Sequence, residues 1–182
     1  MATNTISRTM HDVGLALWSG GSAMGALGVN GAATAAQPRE RLRVAGEGWN
    51  RWMPAHVGAI AAYGIGSLGL TLGNRGRLRR QKGVASLAAA KTVLTAAALA
   101  ADVYAGVLGR RAGEAGEVPV AGATEPAQDT PEDVASTLRR LRIVQWVVPA
   151  LTGTLVVLSA RMGEQQKSEE VARGYRRRLL RR

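Results

Sequence analysis

The chain has no cysteine and no phenylalanine, and aromatic residues fill only 4 % of its 182 positions. Without cysteine there are no disulfides, thiolate zinc sites, iron–sulfur clusters or cysteine nucleophiles. With so few rings, a core must be built by close approach of small residues, which leaves little room for a bulky planar cofactor, and no cofactor is expected. Histidine is scarce too, His11 and His56 being the only two. One imidazole with one carboxylate falls short of a normal metal ligand set, so no metal is expected. A G-x-S-x-G elbow, a P-loop and a dinucleotide fingerprint are also missing, so nothing in the sequence signals an enzyme.

A second absence organises the chain. No charged residue occurs between Asp12 and Arg39, or between Arg51 and Arg75. Uncharged stretches of about 20 residues are long enough to cross hydrocarbon as helices. The expected architecture is therefore all-α: a single four-helix membrane bundle with spans near residues 13–33, 53–72, 84–108 and 141–160, followed by a basic tail over 161–182. Pro54 is expected in the first turn of the second helix, where its missing N–H is harmless. The third span is interrupted only by Lys91 and Asp102. A soluble four-helix bundle is the rival reading, since mean hydropathy is only −0.03. A soluble helix, however, needs a polar face, and the first two spans offer no charge around their circumference.

What the chain has in abundance is basic charge, a formal +11. In a soluble protein this suggests nucleic acid. Here the Lys and Arg residues sit in short blocks between uncharged stretches, which favours anionic lipid headgroups as the partner and not nucleic acid. With both termini on one side, that side carries fourteen Lys and Arg residues against nine on the other. The positive-inside bias then places both termini in the cytoplasm of a multi-pass inner-membrane protein, with the N-terminal segment retained. The acid-free 75–82 loop carries the most weight in this orientation. Residues 109–138 hold three prolines and six acids and are expected as an irregular extracytoplasmic loop, helical again from Pro131. Residues 38–52, with Trp49 and Trp52, are expected as a short interfacial helix anchored by its indoles.

Lipid solvates leucine as well as a neighbouring helix does, so association calls for small residues in register. Gly21, Gly25 and Gly28 supply them in the first helix, and Gly58, Ala62 and Gly66 in the second. Pro149 is expected to kink the fourth helix, with Thr152 and Thr154 at hand for the freed carbonyls.

Ionisable groups inside a span are costly and so are functional candidates. Lys91 and Asp102 share a face of the third helix but stand about 16 Å apart along it and cannot pair. Snorkelling of Lys91 to the headgroups is the alternative to a buried role. Counting through the spans brings Asn30, His56, Asp102 and Gln145 to one outer level, one residue per helix. They form either a polar cluster or four separate contacts with interfacial water. His11 is expected at the cytoplasmic face, about 30 Å from His56.

The order His11, Trp18, Gly20, Gly21 resembles the opening span of the copper-resistance D-type family. The order Trp49, Trp52, Pro54 is similar to uncharacterised four-span proteins of high-GC bacteria. The first resemblance implies a four-helix membrane fold and a role in metal tolerance or import. The methionine and histidine richness of that role is absent, Met24 and Met53 alone making no copper path. A related anthrone-oxygenase-like group implies an oxygenase, and no residue here carries that role over.

The functional reading is a non-enzymatic structural or accessory component of a membrane assembly, working with a membrane-protein partner or a second copy of itself. Arg173, Arg176, Arg177, Arg178, Arg181 and Arg182 in the tail are its candidates for lipid or partner contact. The alternative is a transporter or a redox- or metal-linked accessory that uses His56 and Asp102.

Overall fold

Stretches rich in alanine and leucine, with few prolines, satisfy their backbone hydrogen bonds locally, and helix is the outcome. The computed structural model describes residues 2–73 and 82–179, with side chains described over 5–73 and 86–162. The chain is all-α apart from one small hairpin. Its four helices are α1 (Ala2–Met24), α2 (Arg41–Gly73), α3 (Lys82–Glu114) and α4 (Glu132–Leu179). The tight basic loop expected at 75–82 falls almost wholly outside the described residues.

Three helices, over Arg41–Gly73, Ser86–Glu114 and Glu132–Met162, are long and apolar enough to cross a membrane. In their most apolar stretches only 22 %, 11 % and 17 % of residues are buried inside the protein, so most of that apolar surface faces outward. Helix α1 is not among the three. Its regular part begins at Ala2 and includes Arg8, His11 and Asp12, while the apolar stretch continues into a π-helical turn, Gly25–Val29.

The helices overrun the expected spans. At 33 residues each, α2 and α3 are about 50 Å long, against about 30 Å of hydrocarbon. Two expectations are corrected by this length. Residues 41–52 are not a separate interfacial helix but the first turns of α2, and Pro54 lies well inside that helix rather than in its first turn. Trp49 and Trp52 also turn inward: their rings cover Gly25 and Gly21 of α1.

Helices α1 and α2 pack antiparallel at backbone distance. A Cβ on Gly14 would lie 2.6 Å from the Ala59 carbonyl oxygen, and one on Gly66 only 2.7 Å from His11 Cα. The buried stripe of α2 is His56, Ala59, Tyr63 and Gly66, with alternating steps of three and four. The expected stripe of Gly58, Ala62 and Gly66 is thus half right: Gly66 is entered by a backbone, whereas Gly58 faces open space. The main core draws on all four helices, through Leu15 and Trp18, Ala59 and Tyr63, Ala98, and Val148 and Leu155.

Helix α4 runs unbroken through Pro149, which deprives the Gln145 carbonyl of its usual N–H donor. Thr152 and Thr154 do not replace it. They donate to Val148 and Ala150, the carbonyls of their own preceding turns, at 2.8 Å each.

At the end where α2 and α4 begin and α3 stops, the expected irregular loop is a folded cap. Gly116, with φ +72°, turns the chain out of α3 in the left-handed conformation that glycine adopts without strain. Strands β1 (Val120–Gly122) and β2 (Glu125–Pro126) then pair antiparallel, Val120 opposite Pro126. The Arg41 guanidinium holds the hairpin down, donating to Val120 O at 3.0 Å and Ala121 O at 2.7 Å. Beneath, Val120 packs with Leu42, Ala112, Val134 and Leu138. Thr130 Oγ1 donates to Pro119 O at 2.6 Å, and Glu132 and Asp133 open α4 on the favourable side of its dipole.

Candidate functional site

Polar side chains inside the bundle fall into three levels. The first lies under the cap. The π turn ends at Asn30, whose amide nitrogen donates to Gln145 Oε1 at 2.7 Å. Asn30 Oδ1 accepts from the Trp49 indole at 2.9 Å, and Gln145 Nε2 reaches Thr124 Oγ1 of the hairpin at 3.2 Å. The π turn follows α1 directly and ends just before Asn30, and such turns recur at functional positions. Asn30, Thr124 and Gln145 line a pocket of about 320 Å³ together with Glu125, Arg142 and Trp146. A second pocket, of about 530 Å³, opens on the same capped end beside Arg39, Glu117 and Asp129.

The second level is a single pair. His56 Nε2 stands 2.7 Å from Asp102 Oδ2. A carboxylate only accepts, so Nε2 carries the shared proton and the other ring nitrogen, Nδ1, is left for another partner. His56 is 7 % exposed, and Nδ1 has no hydrogen-bond partner among the described residues.

The third level joins α1, α2 and α3. The Lys91 ammonium donates to His11 Nε2, and His11 Nδ1 donates to the Asp12 carboxylate at 2.6 Å. Tyr63 lies alongside, its ring 5.0 Å from that of His11 and 5.7 Å from the Lys91 nitrogen, close enough for a cation–π contact. Its hydroxyl is 2.8 Å from Thr95 Oγ1. Lys91 therefore reaches inward to a histidine; snorkelling is not what the geometry shows. His11 is also deeper than expected. It packs at Gly66, ten residues along α2 from His56, which separates the two histidines by about 15 Å rather than a membrane thickness. The reason is local: α1 continues for nine residues before His11, so Asp12 does not mark the edge of the helix.

Between the second and third levels lies an apolar layer of Leu15, Ala59, Ala98 and Leu155. The Asn30–Gln145 and His56–Asp102 pairs both form, but no hydrogen bond joins them among the described residues. Of the two alternatives, one cluster of four or four separate contacts with interfacial water, neither is what forms: there are two pairs at neighbouring depths. Sequence reasoning passed over His11 as a partner of Lys91, and also Tyr63, Thr95, Trp18 and Thr124. A usable signal existed for α3, where Lys91, Thr95, Ala98 and Asp102 repeat at steps of four, three and four along one face.

Among the described residues no three of His, Cys, Asp and Glu gather as metal ligands. Of the tail candidates, Arg181 and Arg182 lie outside the described residues, as do the side chains of Arg173, Arg176, Arg177 and Arg178. Compared with protein-family models, curated proteins and solved structures, the chain matches none. The copper-resistance likeness thus rests on four residues: His11 is bonded to Lys91, Trp18 is buried, Gly20 faces open space and Gly21 lies under Trp52.

Proposed function

We propose that the chain is a four-span inner-membrane protein with both termini in the cytoplasm, acting as a non-enzymatic component of a membrane assembly. One observation carries this reading: large apolar side chains cover the outside of the bundle while several polar ones are buried within it. Val93, Ile143 and Leu68 are 68 %, 70 % and 66 % exposed, while His11, His56 and Thr152 are 2 %, 7 % and 0 % exposed. Water does not reward that arrangement, whereas lipid does. Helix α1 shares it, with Val13, Leu17, Met24 and Leu27 outside and His11 and Ser22 inside, which supports counting α1 as the fourth span. The basic tail over 161–182 supports the cytoplasmic side for the C-terminus, where it lies against anionic lipid or an acidic partner.

The absence of cysteine makes the test clean, since each introduced thiol is the only one. With a membrane-impermeant maleimide, Gln128→Cys in the cap is expected to label in intact spheroplasts, and Ser168→Cys only after permeabilisation. Labelling of both without permeabilisation overturns the orientation. Release of the protein by alkaline carbonate overturns the membrane reading itself.

A second reading is favoured by the His56–Asp102 pair. A buried acid–base pair with one free ring nitrogen suits a transporter or a redox- or metal-linked accessory better than a passive strut. Metal analysis and a visible absorption spectrum of the purified protein separate the metal-linked version from the rest.

A further inference from the structure

Among the described residues four buried side-chain polar atoms lack a hydrogen-bond partner, and three of them, Trp18 Nε1, Trp52 Nε1 and His56 Nδ1, belong to facing turns of α1 and α2, with the Trp18 ring 5.7 Å from that of Tyr63. The antiparallel register of α1 and α2 supplies the alignment. Gly14 faces Ala59 and Tyr63, and Gly21 faces Trp52, so Trp18, midway between the two glycines, falls opposite His56. Trp52 and His56 are one turn apart on the same side of α2. An unpartnered buried polar group is expensive, and three at neighbouring depths rarely go unanswered. Their chemistry is complementary to water. The two indoles only donate, and Nδ1 of a neutral His56 only accepts, so water oxygens can take the N–H bonds and a water O–H can be returned to Nδ1. Three bonds is the usual complement of a buried water.

We propose that the bundle holds water among Trp18, Trp52 and His56, and that this water makes the His56–Asp102 pair a proton-binding site served from the capped face. Direction follows from what lies on either side. Toward the cap, Trp49 is seven residues from His56 along α2, about 10 Å, and is bonded through Asn30 to Gln145 in the wall of the open pocket. Toward the other end, the route meets the apolar layer of Leu15, Ala59, Ala98 and Leu155. A proton arriving on a hydronium moves to Nδ1, water is regenerated, and the Nε2–H bond to Asp102 persists. The imidazolium so formed faces one charged group, the Asp102 carboxylate of α3. Helix α4 has no ionisable residue between Arg142 and Arg161, and α1 has none beyond Asp12. On α2 itself Arg51 is exposed and paired with Glu47 at 3.5 Å.

The proposal deepens the second reading above and rests on the chain residing in a bilayer, but not on which compartment the cap faces. The test uses the full chain in liposomes, with sidedness fixed by labelling Gln128→Cys. Emission is read from the chain with all four of its tryptophans, so that Trp49 keeps its bond to Asn30 on the cap side. Acidifying the cap side from about pH 8 to about pH 5 is expected to quench emission reversibly, and acidifying the opposite side is not. His56→Gln is expected to lose the response, and Tyr104→Phe, on the lipid-facing surface, to keep it. No quenching, quenching that follows the opposite side, or quenching that survives in His56→Gln overturns the proton site. A structural loss in His56→Gln is told apart by Asp102→Asn, which keeps His56 and its hydrogen bond but removes the countercharge, and is expected to weaken the response. Hydration is read separately in the native chain by nuclear magnetic resonance: the Trp18 and Trp52 indole protons should show transfer from water, the Trp49 proton, bonded to Asn30, should not. Equal protection of all three overturns the water. A chain that fails to insert counts against the membrane reading, while an inserted, well-folded chain without the response counts against this proposal alone.

Discussion

The seam between α1 and α2 and the seam between α2 and α3 solve one problem in opposite ways. The first brings backbones together at Gly14 and Gly66 and seats two indoles on Gly21 and Gly25. The second has few direct contacts and is bridged by side chains, His56 to Asp102 and Tyr63 to Thr95. In lipid, where apolar surface gains nothing from leaving the solvent, the first seam draws on dispersion over a large area and the second on a few directional bonds. Close packing supplies strength. Bridging supplies register, since a rotated α3 would leave Asp102 and Lys91 in hydrocarbon.

Four substitutions separate the two seams, ordered by expected effect on unfolding free energy in bicelles. Gly66→Leu drives a side chain into the backbone at His11 and is expected to cost about 3 kcal/mol, the upper range for overpacking, by prising α1 off α2. If it costs no more than a lipid-facing change, the close seam is not where the strength lies. Asp102→Ala leaves the buried His56 Nε2–H without its acceptor and is expected to cost about 2 kcal/mol, with a coupling to His56→Ala of about 1 kcal/mol in a double-mutant cycle. A coupling of zero removes the bridge from the account. Asn30→Ala strips the Trp49 indole and Gln145 of their shared partner, at an expected cost of about 1 kcal/mol. Gly58→Ala meets only open space and trades a poor helix former for a good one, so a gain of about 0.5 kcal/mol is expected. A loss there points to a second molecule packed on that face.

Much of the architecture could be read from where charge is missing. Four helices follow from long uncharged stretches, and the shared depth of His56 with Asp102, and of Asn30 with Gln145, follows from counting 1.5 Å per residue. Counting gives depth but not rotation. Thus Gly58, Ala62 and Gly66 looked like a contact stripe on spacing alone, while the buried face is set by Tyr63 and His56 and passes through Ala59. His11 was misjudged for a related reason: charge at Arg8 and Asp12 suggested an edge, yet Asp12 is 55 % exposed while its neighbour points inward to Lys91. The cap was out of reach because its hold comes from contacts remote in sequence. Arg41 bonding to Val120 and Ala121, and Leu42 packing on Leu138, leave no periodic trace. Proline and acidic residues there spelled a loop, and three or two residues per strand are too few to signal a sheet.

Arg41 and the hairpin it secures fasten three helix ends at one side of the molecule, with nothing equivalent described at the other. At the other side the chain itself joins α2, which ends at Gly73, to α3, which begins at Lys82. The cap is thus a side-chain clasp on helix ends that the chain leaves apart, and loss of Arg41 would let α2 and α3 separate most at the level of Asn30 and Gln145, less at His56 and Asp102, and least at Lys91.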